Sequence, residues 1–177
     1  MNPPSYLKSI AVLPRTIEEA LKLVGTHEKE GAGSNPVILR WRDELNAAGY
    51  KIEGYDDDDV AWCGLFAAIV AHRAGKTVVK EPLWARNWLD FGAAVKAPGL
   101  GDVLVFSRGK GGHVGFYVGE DGSAYHVLGG NQGNQVNVTR VIKSRLLGAR
   151  RPLYKVQPES VKPYRLSAEG EISKNEA

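Results

Sequence analysis

Cysteine occurs once in 177 residues, at Cys63. A lone cysteine excludes any internal disulfide, so the fold owes nothing to oxidation and the thiol is free. Net charge is scarce as well: 23 Lys and Arg against 20 Asp and Glu leave +3, too little to argue for a nucleic-acid partner. No stretch is apolar for long enough to span a bilayer, and the run from Ile10 to Leu13 stops at Pro14. The opening Met1-Asn2-Pro3-Pro4 has no basic region of the kind that begins a secretory signal. Synthesis in the cytoplasm without a signal peptide is therefore expected, and no stable membrane insertion.

Cofactor and metal motifs are missing too. The histidines His27, His72, His113 and His126 show none of the paired spacing of a zinc site. The acidic run Asp56-Asp57-Asp58-Asp59 lacks the alternating ligands and the glycine of a calcium loop. It reads first as a solvated acidic turn, with calcium or a cationic group of a substrate as the other options. Gly75-Lys76-Thr77 is no phosphate loop, because Val70 stands where the first glycine belongs and the motif follows a helix instead of opening one. No cofactor and no metal is expected.

What is present is an ordinary globular composition, 43% hydrophobic and 24% charged, in a chain long enough to bury a core. Thr16-Ile17-Glu18-Glu19 reads as a cap and an acidic first turn, with Ala20, Leu21 and Val24 forming a short amphipathic helix up to Gly25. After the Gly-rich Glu30 to Ser34, Asn35 caps a second helix with Pro36 at its first position and Gly49 beyond its end. Cys63, Phe66, Ala67, Val70, Ala71 and Ala74 recur at helical spacing, with Asp59 as the expected N-cap and Gly75 as the stop. Glu81 to Phe91 reads as a further short helix carrying Trp84 and Trp88 on one side. From Asp102 the period changes to two: Val103–Phe106, His113–Val118, Ala124–Leu128, Gln135–Ile142 and Leu146–Arg150 are the expected strands of a meandering antiparallel sheet. Helices first and strands second predict an α+β domain over residues 1–154. Residues 155–177, polar and holding Pro158 and Pro163, read as an appended, partly disordered tail.

The position of Cys63 gives it a chemistry. Near a helix start, unpaired N–H groups and the positive end of the dipole favour the thiolate, although the neighbouring aspartates oppose it. The competing reading is a small buried hydrophobe. A nucleophilic thiol needs a base, and the base needs a group to fix its ring. Among the histidines, His113 stands at the first residue of a strand after a glycine loop. A three-residue turn at Asp121-Gly122-Ser123 would set Asn131 opposite His113 on the face away from Val114, Phe116 and Val118; a two-residue loop would put Gly130 there instead. The sequence leaves both open.

Trp62-Cys63 at a helix start, Pro98 to Phe106 ahead of a Gly-Gly-His-Val strand, and Leu128-Gly129-Gly130-Asn131-Gln132 together resemble the phage-type branch of the CHAP and NlpC-type cysteine peptidases. The likeness extends through Gly25-Thr26 with Glu28, Gly33-Ser34-Asn35-Pro36, Ala85-Arg86-Asn87-Trp88 and Leu147 to Pro152, about residues 18 to 153. It implies a papain-like fold, N-terminal helices packed on an antiparallel sheet. It implies also a peptidoglycan hydrolase, amidase or endopeptidase, with Cys63 as nucleophile, His113 as base and Asn131 as orienting residue. Trp62, Asp58, Gly112 and Gln132, which flank these, are candidate substrate contacts. Gly129 departs from the glutamate that many CHAP members carry two positions before the asparagine, and Asp102 reads as a structural cap of its loop. The expected setting is an endolysin-like or secreted monomer that reaches the cell wall or periplasm after release or delivery. A wall-binding module with weak or no catalysis, and an acyl-transferring relative of the same fold, are the alternatives.

Overall fold

Asn35 Oδ1 accepts the Val37 N–H at 2.8 Å and Pro36 fills the first helical position, so α2 (Pro36–Ala47) begins at the cap its sequence supplies. The computed structural model describes residues 1–29, 33–58, 60–168 and 172–173. Helix α1 (Arg15–Leu21) starts earlier than its expected cap: Thr16 lies inside it, and its hydroxyl donates to the Gly101 carbonyl at 3.1 Å. Helix α3 (Cys63–Arg73) has Trp62 at its N-cap with no side-chain capping bond; Asp59, the expected cap, lies outside the described residues. Every residue from Cys63 to Ala71 is buried, because α3 is the middle layer, with α1 and α2 on one side and the sheet on the other. A chain of ring contacts crosses these layers, from Trp41 of α2 to Trp62 and Phe66, and from Phe66 to Phe116 of the sheet.

The sheet has six antiparallel strands: β1 (Ala93–Val95), β2 (Val103–Arg108), β3 (Gly111–Glu120), β4 (Ala124–Gly129), β5 (Asn137–Ile142) and β6 (Leu146–Arg151), in the order β1-β6-β2-β3-β4-β5. The α+β class is thus as expected, but only β2 to β5 meander; β6 returns to pair with β2. Three 3₁₀ residues, Lys143–Arg145, join strands that stand four places apart in the sheet. At about 4.8 Å per place these strands would lie about 19 Å apart in a flat sheet, more than the roughly 14 Å that four Cα steps can span, so the sheet must curve. Its two faces accordingly hold separate cores. Val114, Phe116 and Val118 of β3 face the helices, while Leu104, Phe106, Tyr117, Val127 and Val141 fill the other face. Next to the turn Glu120 is opposite Tyr125 and Gly119 opposite His126, and a bulge at Tyr117–Gly119 then shifts the pairing so that Tyr117 is opposite Val127 and Phe116 opposite Leu128, the register expected of a three-residue turn.

Two segments differ from expectation. Ala85–Asp90 is a 3₁₀ turn, and its tryptophans part company: Trp88 is fully buried whereas Trp84 is 69% exposed. Residues 155–168 are docked instead of appended. Glu120 N–H donates to the Tyr164 carbonyl, Leu166 N–H to that of Glu120, and Leu100 N–H to that of Lys162, while the Tyr164 ring stacks on Tyr6 at 4.5 Å. The polar composition concealed this because the segment is held mainly by backbone bonds and by a few apolar anchors such as Val161. Among the described residues no helix is long and apolar enough to cross a membrane.

Candidate active site

The first intrahelical bond of α3 runs from the Phe66 N–H to the Trp62 carbonyl, so the N–H groups of Cys63, Gly64 and Leu65 have no carbonyl partner within the helix. The N–H groups of Cys63 and Gly64, and that of Val114 in β3, favour the thiolate form of Cys63. Burial, at 2% exposure, pushes the thiol above its ordinary range; those N–H groups and the positive charge of Arg108 act in the opposite direction. The resting group is therefore a thiol, and chemistry at sulfur requires a base.

His113 immediately precedes Val114 and is fully buried near the start of β3, opposite Phe106, with the two rings stacked at 6.4 Å. Its Nε2 stands 3.0 Å from Gln132 Oε1. The surroundings of Gln132 fix which way its amide points. Its nitrogen has three acceptors, the Val127 carbonyl at 3.1 Å, the Asn137 carbonyl at 2.7 Å and Asn137 Oδ1 at 3.2 Å, while Oε1 receives the Thr139 hydroxyl at 2.9 Å. Oε1 is thus an acceptor toward His113, Nε2 must carry the hydrogen, and Nδ1 is left with the basic lone pair.

Asn131, expected to orient the imidazole, does something else. Strand β4 ends at Gly129, and Asn131 takes a left-handed φ of 55°, which carries its side chain away from the extrapolated register. Its Nδ2 donates to Glu28 Oε1 at 2.8 Å, and the same oxygen receives the indole Nε1 of Trp62 at 2.6 Å. Glu28, to which the sequence reading assigned no role, thereby ties the loop after β4 to the start of α3. The imidazole is met by Gln132, the next residue. Gly129 makes this possible, since a Cβ there would fall 2.8 Å from Gln132 Oε1 and 3.3 Å from His113 Nε2.

A cavity of about 510 Å³ opens at Cys63, lined also by Val60, Leu83, Trp84, Arg108 and Gly112. It adjoins a second hollow of about 290 Å³, with Glu53, Leu83 and Trp84 common to both, and the exposed Trp84 stands at the shared rim. One wall is held close to the helix: a Cβ on Gly64 would fall 2.2 Å from the Pro82 carbonyl oxygen, so only glycine admits this backbone so near Cys63.

Of the candidate substrate contacts, Gly112 lines the cleft and Gln132 serves the imidazole. Trp62 and Asp58 are buried and line neither hollow. Asp58 Oδ2 instead accepts the N–H groups of Lys29 and Asn35, anchoring the loop before α2. Its neighbours diverge, Asp57 accepting from Ser34 and Asp56 pairing with Arg42. Among the described residues no group of three or more His, Cys, Asp or Glu side chains could hold a metal ion. Asp102 caps its loop by accepting the Gly99 N–H, and also receives the Arg151 guanidinium. No protein-family model and no curated protein matches this chain, so what the site does has to be read from its own geometry.

Proposed function

We propose that this chain is a papain-like cysteine hydrolase of amide bonds, acting on the peptide part of bacterial peptidoglycan as an amidase or endopeptidase. The observation that carries the reading is the buried imidazole of His113, held by Gln132 one residue before Val114, whose N–H favours the Cys63 thiolate. Nδ1 takes the thiol proton as sulfur attacks the amide carbon, and the oxyanion gathers N–H donors at the start of α3. Collapse expels the amine, which takes its proton from the imidazolium, and leaves a thioester. Water then attacks the acyl carbon, giving its proton to His113, and the thiolate leaves to be reprotonated. A neutral amide partner suits this cycle, because it holds the ring in place while leaving the proton free to move both ways.

The wall-peptide substrate is supported by the resemblance in the Trp-Cys, Gly-Gly-His-Val and Gly-Gly-Asn-Gln segments and by the two hollows that share Glu53, Leu83 and Trp84 beside Cys63. Purified peptidoglycan incubated with the enzyme should release soluble fragments, and Cys63→Ala should release none. Mass analysis of those fragments names the bond: a new lactyl carboxylate marks an amidase, a new amino terminus within the stem an endopeptidase. Binding to walls without any soluble product, or release that persists in Cys63→Ala, would overturn the proposal.

A further inference from the structure

Seven arginines are at least partly buried, and six have partners: Arg42 with Asp56, Arg73 with Glu44, Arg140 with Asp121, Arg145 with the Ser107 carbonyl, Arg150 with the Phe91 carbonyl and Arg151 with Asp102. Arg108 is the seventh. Its Nη1 is buried with no hydrogen-bond partner, and it forms no ion pair among the described residues. Guanidinium nitrogens withdrawn from water are normally matched by an acceptor, since an unmatched one loses hydration for nothing. Arg108 ends β2 opposite Gly111, in a hairpin whose two-residue loop opens with Gly109 at a φ of 50°. From there it lines the cleft it shares with Cys63, Trp84 and Gly112.

We infer that Arg108 is the receptor for a carboxylate of the substrate, so that the cleft takes peptides bearing a free carboxylate close to the scissile amide. The geometry suits that group: a guanidinium meets a carboxylate through parallel N–H donors, and a desolvated pair is stronger than an exposed one. Glu53 also lines the cleft but makes no ion pair with Arg108 among the described residues, so the guanidinium is not neutralised from within. Arg108 and Cys63 line the same cleft, so the charge stands on the side from which the sulfur is reached. A carboxylate bound there lies within a few bonds of the carbonyl under attack, which sets the register of the peptide as well as its affinity.

The identity of the peptide rests on the proposed function, whereas the Arg108 pairing does not require that any bond be cut, and the test separates the two. Calorimetric binding to the Cys63→Ala protein would use a synthetic stem peptide with free carboxylates and its fully amidated counterpart. The acid form should bind about 10- to 100-fold more tightly, the range of a hydrogen bond to a charged group. Adding Arg108→Gln should bring that ratio to about one, with an unchanged urea-unfolding midpoint as the check that the protein is still folded; Arg108→Lys should retain part of the preference. Peptides amidated only at the side chain or only at the C-terminus then tell which carboxylate is held. Equal affinity for both forms, no binding of the acid form, or a preference that survives Arg108→Gln would overturn the inference. If the preference holds and peptidoglycan is not cleaved, the hydrolase reading falls and the carboxylate site stands.

Discussion

Gln132 Oε1 accepts the Nε2 hydrogen of His113 at 3.0 Å while the same oxygen receives Thr139 and the amide nitrogen is spent on three carbonyl-type acceptors. The amide therefore cannot flip without losing several bonds at once, and the imidazole tautomer is held by a network and not by one contact. Gln132→Ala should lower kcat by roughly 10- to 100-fold with KM little changed, because the base is misoriented while the cleft is untouched. Gln132→Glu keeps an acceptor in place and should retain more activity than Gln132→Ala. Steady-state kinetics on a soluble wall peptide decides it, and a Gln132→Ala enzyme with wild-type kcat would remove the amide from the mechanism. Asn131→Ala should act differently, disturbing the Glu28 tie to Trp62 and hence stability.

Gly129 offers a second handle on the same contact. A methyl group there would press on Gln132 Oε1 at 2.8 Å, so Gly129→Ala should reproduce the Gln132→Ala loss, and the double variant should be no worse than either. Additive losses would show that the two changes act separately. In Gln132→Ala the space beside Nε2 is vacated, and Gly129→Glu in that background should recover activity by supplying a new acceptor for the Nε2 hydrogen.

These contacts show where sequence reading reaches and where it stops. The cap at Asn35, the stop at Gly75 and the strands around Val103 and Phe116 are local matters of side-chain chemistry and period, and the structure has them within a few residues. Pairing of Phe116 with Leu128 is one of the two registers that the sequence left open, and it is a bulge at Tyr117–Gly119 that produces it, since next to the turn Glu120 pairs with Tyr125. The error at Asn131 came from carrying that register past the end of β4, where a left-handed residue turns the chain and exchanges the roles of two adjacent amides. Glu28 and Arg108 were illegible for another reason. Each meets partners or a cleft many residues away, and nothing in their own neighbourhoods marks an acid that clamps an indole or an arginine without an acceptor. The return of β6 to β2 was likewise hidden, because strand patterning gives faces and not neighbours.

Cys63 should behave as a buried thiol in the absence of substrate. Burial raises its pKa, so at pH 7 it is overwhelmingly protonated, and its alkylation by iodoacetamide should be slower than that of an unstructured cysteine. The rate should climb with pH and reach its midpoint above about 8.5, where a free thiol is half ionised. Arg108→Gln removes a positive charge that favours the thiolate, so its profile should move to higher pH. A midpoint below about 8.5 would mean that the N–H groups and Arg108 outweigh burial.

At the far end of β3 from His113, Asp121 gathers Arg140 and His126 on one oxygen, each at 2.9 Å, and the Ser123 and Ala124 N–H groups on the other. The Arg140 guanidinium, first among these, holds the Asp121 carboxyl well below the usual carboxylate range. A depressed folded pKa stabilises the protein fully above the unfolded value of about 3.9, and the stabilisation drains away as pH falls below it. Asp121→Asn leaves Arg140 buried beside a neutral amide and should cost about 3 to 5 kcal/mol at pH 7. That deficit should narrow as pH is lowered from 5 to 3, since the wild type loses what the variant never had. Urea unfolding of both proteins across this range measures it, with turnover per folded molecule expected to stay constant at pH 7. A deficit as large at pH 3 as at pH 7 would mean that Asp121 contributes through its hydrogen bonds to the turn and not through its charge.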